Sequence, residues 1–309
     1  MTTTKIRQIA NSLAFGTVLC VLLSGRPASA EQTSFTSAQE AVDALVASIR
    51  SSDTAKIVSV LGKRGSALAN SGDTVSDAAA RERFLAAYDK AHELRHMADG
   101  PYILFVGTQE YPFPIPLIET SGIWKFDADG GAQEILDRRI GQNELSAIGV
   151  MRAYVDAQHE YAAEDRDGKG IQYARRLLSQ DGKKDGLYWP AAVGDIESPF
   201  GPLIARARGE GYRRKAAPVP YHGYYFRVLT AQGDDAPGGA RNFIIDGRMI
   251  GGFALIATPA EYGNSGIVTF IVNDRGDIYQ RDLGADTTRR AKAIVTYNPD
   301  REWTAVKSD

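Results

Sequence analysis

The 309-residue sequence has one cysteine, Cys20, and four histidines. With no second thiol, an intramolecular disulfide is excluded and stability must come from a buried core. So few histidines leave little material for a metal or acid–base site, which makes any paired histidines worth locating. Apolar runs are short as well: Leu13 to Leu23 is broken off by Ser24, Gly25, Arg26 and Pro27, whereas a membrane-spanning helix needs about 20 apolar residues. No glycine-rich loop follows a strand where a phosphate would be cradled. Asp234-Asp235 and Asp165 to Asp167 lack the twelve-residue calcium pattern, although Asp165-x-Asp167-Gly168 can hold a weakly bound ion. An excess of positive charge is also missing. With 36 Lys and Arg against 38 Asp and Glu, neither nucleic acid nor an anionic membrane surface is expected as the main partner.

What is present begins with an address. Lys5 and Arg7, the apolar Leu13 to Leu23 and the small residues Ala28-Ser29-Ala30 have the order of a secretory signal peptide over residues 1–30. Cys20 is not preceded by the small-residue pattern of a lipoprotein signal. Cleavage leaves 279 residues carrying 33 basic and 38 acidic side chains. The expected mature chain is periplasmic or secreted, without cysteine and without a transmembrane helix.

Two parts are expected, residues 31–137 and 138–309, together of α+β class. In the first, Ser37 with Glu40 is a capping box opening a helix that carries Ala38, Ala41, Val42, Leu45 and Ile49 on one stripe. Asp53 caps a second helix ending at Gly62. Ser76 or Asp77 opens a third, with Phe84, Tyr88 and Ala91 on one side, running to about Met97. Strands follow at Tyr102 to Val106 and Trp124 to Phe126. Between them Tyr111-Pro-Phe-Pro-Ile-Pro116 is confined to an edge or extended loop, because proline cannot donate to a ladder. The pattern suits helices on a small antiparallel sheet of NTF2-like or cystatin-like type. In the second part a long helix, from Ala132 or Glu144 to Ala163, is expected to bury Leu145, Ile148, Met151, Val155, Gln158 and Ala162. A short helix near Tyr173 to Leu178 comes next, then tight turns at Asp185 to Pro190 and Ser198 to Pro202. From Pro220 to Asp286, apolar runs at 224–229, 243–245, 252–258 and 267–272 alternate with Gly, Pro, Asn and Asp clusters, as in an antiparallel meander.

The second half resembles the globular heads of type IV pilins and pseudopilins. The likeness rests on the order of Ala157-Gln158-x-x-Tyr161, Tyr173-Ala174, Gly223 to Phe226, Ala257 to Pro259, and Phe270-x-x-Asn-x-x-Gly-x-Ile278. It implies a long helix packed on an antiparallel meander. A prepilin keeps an N-terminal apolar helix behind a Gly-Phe-x-x-x-Glu junction, where this chain has a cleavable signal, so pilus assembly is not implied. A second resemblance covers nearly all of the mature chain. Ser71-Gly-Asp73, Tyr111 to Leu117, Arg138-Arg-Ile-Gly-Gln-Asn-Glu144, Asp185 to Pro190, Tyr221-His-Gly-Tyr-Tyr225, Pro259 to Gly266 and Asp282 to Asp286 look like the hallmark strings of a bacterial exported family, domain of unknown function 2950. That likeness implies export and a single unit, and it carries no catalytic residues.

One motif asks for chemistry. In His92-Glu93-Leu94-Arg95-His96, a helix would place both imidazoles on one face to hold zinc, with Glu93 activating a water. Against it, Lys90 and Arg95 are charged where the wider pattern is not, and Glu110 and Glu119 lie in strand or loop rather than on a second helix. His222, among Tyr221, Tyr224 and Tyr225, is a general-base candidate or a satisfied core histidine. Glu261, Tyr262, Asn264 and Ser265 sit in a glycine-rich turn that can line a pocket. Arg213-Arg214-Lys215 reads as a solvated basic run. The reading favoured by the residues is an exported, non-catalytic envelope protein that binds an unidentified ligand or helps assemble a protein partner. Its contacts are Tyr111 and the turn bearing Tyr188 and Trp189, with His222, Glu261 and Tyr262 as further binding candidates and no cofactor. The alternative is a zinc-dependent hydrolase using His92, Glu93 and His96.

Overall fold

The computed structural model describes residues 32–307, apart from 99, 167, 193 and 214–217. The expected signal peptide, Asp167 of the weak ion loop, and Arg214-Lys215 lie outside the described residues. The chain is α+β. It starts with helices α1 (Ala38–Arg50), α2 (Thr54–Leu61), α3 (Gly65–Ala69) and α4 (Thr74–Lys90). Ser37 caps α1, its hydroxyl accepting from the Glu40 amide at 3.2 Å, while the Glu40 carboxylate reaches back to the amide and hydroxyl of Thr36. Such caps satisfy amides that no helical carbonyl can reach and contribute about 1 kcal/mol. Asp53 caps α2 as expected. The cap of α4 is neither Ser76 nor Asp77 but Asp73, whose Oδ1 accepts from Val75 and Ser76.

The end of α4 is the main correction in this part. The helix stops at Lys90, and His92–His96 is strand β1, paired through all five residues with β2 (Tyr102–Val106). The Gly107 amide takes the terminal carbonyls of Ala87 and Ala91. Continuing the helix would have left β2 without its antiparallel neighbour on one side. β3 (Tyr111–Pro112), β4 (Leu117–Thr120) and β5 (Ile123–Phe126) complete a sheet ordered β1-β2-β4-β5, with β3 also on β2. The proline-rich segment pairs for only two residues, as the missing amides require. Val42, Leu45, Ile57 and Leu61 of the helices bury against Leu104, Val106, Leu117 and Phe126 of the sheet to make the first core.

Asp127 then caps α5 (Ala128–Tyr161), a 34-residue helix about 50 Å long. Its first turns put Ala128 and Ile135 into the first core; from Ala147 onward it serves the second. Gly131 is where the helix crosses the Pro114–Ile115 backbone so closely that a Cβ would lie 2.2 Å from the Pro114 carbonyl. The buried stripe of the second half is Ala147, Val150, Met151, Tyr154, Ala157, Gln158 and Tyr161. Leu145, expected on it, is 67% exposed.

The expected helix at Tyr173 to Leu178 is absent. Buried Gln158 holds Ala174 through both polar groups of its amide, Nε2 to the Ala174 carbonyl and the Ala174 amide to Oε1, each at 2.8 Å. These bonds replace a helical ladder with a link to α5. The chain then folds back so that Leu187 and Tyr188 donate to Arg176 and Leu177. The turn at Ser198 to Pro202 opens a helix the sequence reading omitted, α6 (Gly201–Gly209).

The meander holds for the runs at 224–229, 252–258 and 267–272, but the run at 243–245 leaves the main sheet for a two-residue hairpin of its own, and 278–282 joins the sheet instead. β6 (Tyr224–Leu229) is followed by four two-residue strands: β7 (Ala231–Gln232), β8 (Arg241–Asn242), β9 (Ile244–Ile245) and β10 (Arg248–Met249). β11 (Ala254–Pro259), β12 (Val268–Asn273), β13 (Ile278–Asp282), helix α7 (Thr287–Ala293) and β14 (Thr304–Ala305) end the chain. The main sheet runs β14-β13-β12-β11-β6, antiparallel throughout. β11 is buried on both faces, with α5 and α7 packed against it. Among the described residues no helix is long and apolar enough to cross a membrane.

Candidate binding cavity

Pro202 lies in the first turn of α6, which its fixed φ suits. Leu203, Ile204 and Ala207 share one face of it, yet α6 has no fully buried residue. The reason is a cavity of about 1040 Å³ in front of that face. Leu177, Tyr188 and Pro190 form a second wall, Val219 and Tyr221 a third, and Phe226 and Leu255 of the sheet the floor. The sheet contributes because β6 is its edge strand and leaves Phe226 half-buried.

Charge is confined to the rim. The Arg208 guanidinium lies 5.2 Å from the centre of the Tyr188 ring. Arg213 donates from Nη1 to the carbonyls of Arg208 (2.6 Å) and Tyr212 (2.8 Å), bracing the end of α6. Asp181 lies on the same rim.

At the inner end, Tyr212 and Tyr221 meet edge to face, with ring centres 4.9 Å apart. The Tyr212 hydroxyl donates to Oδ2 of Asp73 at 2.7 Å, and the Gly223 amide donates to the same oxygen at 3.1 Å. Asp73 is thus both the cap of α4 and the anchor of the cavity wall, and it is 1% exposed. His222 sits behind this wall with φ +47, its Nε2 3.0 Å from Glu210 and its ring against Tyr221. Burial, with Glu210 adding, pushes Tyr221 up to about 12. Burial and then the bond to Asp73 raise Tyr212 above the ordinary phenol range. Near neutral pH both are therefore protonated hydrogen-bond donors rather than nucleophiles, and His222 is engaged by a carboxylate.

The residues singled out in the sequence do not converge. Tyr188 lines the cavity and His222 stands beside it. Trp189, expected as an exposed contact, is 3% exposed, its ring against Tyr161 and its Nε1 donating to Ile196. Alternation along an extended segment turns neighbouring side chains apart, so only Tyr188 reaches the cavity. Tyr111 is exposed at the edge of the first sheet beneath Arg138. Glu261 accepts from Asn264 and lies over Gly72, and the Tyr262 hydroxyl donates to Asp282.

The helix expected at the metal motif is corrected by β1. Residues in a strand rise about 3.3 Å each, so the His92 and His96 backbones stand about 13 Å apart, too far to share an ion bound at about 2 Å. Glu93 points to the opposite face, where Arg95 bonds it at 2.7 Å. Each histidine stacks on a tyrosine instead, His92 on Tyr88 at 3.8 Å and His96 against Tyr102 at 4.5 Å. Among the described residues no three His, Cys, Asp or Glu side chains are placed to hold a metal.

Leu203, Ile204, Ala207, Arg208, Tyr212 and Asp73 were missed as site residues. The Gly-Pro start and the Leu-Ile-x-x-Ala spacing were the available signal for α6; nothing local marks Asp73 as a partner of Tyr212, 139 positions away.

The profile of one protein family matches residues 32–306. The chain belongs to the family described as Protein of unknown function (DUF2950). No curated protein and no solved structure matches it, so the likeness to pilin heads stays one of sequence pattern. Four strings that carried the DUF2950 resemblance meet where the two cores join. Asp73 binds Gly223; Arg139 Nη1 donates to Asn264 at 2.7 Å; Asn143 donates to the Ser265 carbonyl at 2.9 Å; Glu144 accepts from the amides of Ile267 and Val268. In this DUF2950 chain the first contact ties the α4 cap to the main sheet at β6, and the other three tie α5 to it between β11 and β12.

Proposed function

We propose that this protein is an exported, non-catalytic envelope protein that binds a small amphipathic ligand, an acyl chain with an anionic end. The observation that carries the reading is the cavity of about 1040 Å³ walled by Leu177, Tyr188, Leu203, Ile204, Val219 and Phe226. Concave, mainly apolar sites of roughly 300–1,000 Å³ suit small molecules better than flat protein faces. Arg208, exposed on the rim and stacked on Tyr188, gives the ligand's anionic end a donor pair of fixed geometry. The signal-like pattern at residues 1–30 supports an envelope address. Tyr212 and Tyr221, both held protonated near neutral pH, line the cavity as hydrogen-bond donors rather than nucleophiles.

Displacement of a fluorescent fatty acid by saturated carboxylates of increasing length tests this. Affinity is expected to rise about fourfold per methylene, the equivalent of about 0.8 kcal/mol, until the cavity is filled. Ile204→Trp, which fills the space, is expected to abolish binding while the protein stays folded. Arg208→Ala is expected to weaken carboxylates but not the matching alcohols. Absence of saturable binding, or full binding by Ile204→Trp, would overturn the proposal.

A further inference from the structure

A second concavity, about 370 Å³ in volume, opens between α4, α5 and the first core; Leu45, Ile57, Leu61 and Phe113 give it an apolar wall, and four arginines also line it, Arg81 and Arg83 of α4 and Arg138 and Arg139 of α5. One acid, Asp77, shares the lining, and its Oδ2 is occupied by the Ser71 amide at 3.0 Å. The ion pairs among the described residues give Arg138 a partner in Glu134 but give none to Arg81 or Arg83. Arg81 has only a long contact, 3.5 Å, to the Ala69 carbonyl. Burial lowers the pKa of Arg139, with Asp77 and Glu261 offsetting part of that cost, so positive charge is held there against desolvation.

Arg138 is held by Glu134 and Arg139 by Asn264, so Arg81 and Arg83 are the cations left to meet a ligand, and low-dielectric walls beside them focus their field. Helical spacing sets the arrangement. Arg81 and Arg138 come from helices that meet only in the tertiary fold, and the adjacent Arg139 extends the cluster toward Asn264. We propose that this concavity is a binding site for a small, multiply charged oxyanion, with phosphate and polycarboxylate as the two chemistries that share the needed oxygens. Arg81 and Arg83 supply forked donors to the anion, and Gln142 on the same lining adds a neutral donor. The site is separate from the apolar cavity and does not depend on what that cavity holds.

Isothermal titration of the chain spanning residues 31–309 with inorganic phosphate and with citrate, against sodium chloride of equal ionic strength, tests the assignment. Saturable one-to-one binding of at least one anion is expected. Phosphate alone binding would identify the phosphate source, and citrate alone the polycarboxylate. Arg81→Gln with Arg83→Gln is expected to weaken it by about tenfold per arginine, since a charge-assisted hydrogen bond carries about that much. Arg83→Lys, which keeps the charge on an exposed position but loses the fork, is expected to fall between the parent and Arg83→Gln and so guards against a folding artefact. Heat indistinguishable from chloride for both anions, or equal binding by the double variant, would overturn it.

Discussion

The two cores answer to sequence reading in opposite ways. In the first, the helices and their caps are legible, but the passage from α4 to β1 is not. His92–His96 carries helix-compatible residues and becomes a strand because Tyr102–Val106 lies five residues further on to pair with it. In the second core three strands of the meander are legible, at 224–229, 252–258 and 267–272, whereas the connection from 163 to 200 is not. There Gln158, fully buried on α5, captures Ala174 and holds the chain extended. Local pattern succeeds where an element buries its own alternating or helical stripe. It fails where one side chain or strand from another part satisfies the backbone first. α5 belongs to both cores, so the comparison can be broken by experiment.

The largest effect is expected from Tyr154→Ala. Tyr154 is fully buried against Phe253 and Phe200, and its hydroxyl bonds the Ala254 carbonyl. A loss of about 3–5 kcal/mol is expected, as for other buried aromatic truncations. In urea, probes placed in each core are expected to report one transition for this variant and for the parent, because α5 cannot leave one core intact while the other unfolds. Two separated midpoints would show that the cores are independent.

Gly131→Ala sharpens the same point at the other end of α5. Helix propensity alone favours alanine by up to about 1 kcal/mol, but the new Cβ would meet the Pro114 carbonyl at 2.2 Å. A net destabilisation of about 1–3 kcal/mol is expected from overpacking, read as a lower urea midpoint. A stabilised variant would mean that α5 is not pressed against the proline-rich segment.

The wall between the cavity and the joint makes a pH prediction. Tyr221 has an ordinary value of 10.0 and is raised to about 12 in the fold, chiefly by burial. The folded state therefore favours the protonated phenol. Its contribution is complete below pH 10 and is lost as pH climbs toward 12. Tyr221→Phe is expected to flatten this part of the alkaline limb of a stability–pH profile, while Tyr212 and Tyr224, also raised by burial, keep the rest of it steep. An unchanged limb would place Tyr221 in water.

The smallest effect is expected from His96→Ala. The ring is exposed and packs against Tyr102, so stability should move by no more than about 0.5 kcal/mol. Elemental analysis should find the metal content of parent and variant equal. Loss of a stoichiometric metal in the variant would restore the hydrolase reading and would require His92 and His96 to leave β1.

By itself the sequence determined the helices opened by Ser37 and Asp53, the strands at 102–106 and 224–229, the edge position of the proline-rich segment, and the DUF2950 strings. Each rests on near-neighbour physics: a cap meets an amide three residues away, alternation follows the pleat, and proline lacks its donor. Only the tertiary structure decided that His92 and His96 lie along a strand, that Trp189 is core while Tyr188 lines a cavity, and that Asp73, Tyr212 and Gly223 form one anchor. It also decided that four arginines from α4 and α5 surround one concavity. Those outcomes depend on which distant group reaches a buried amide, ring or charge first, and separation along the chain, 139 positions between Asp73 and Tyr212, carries no record of that choice.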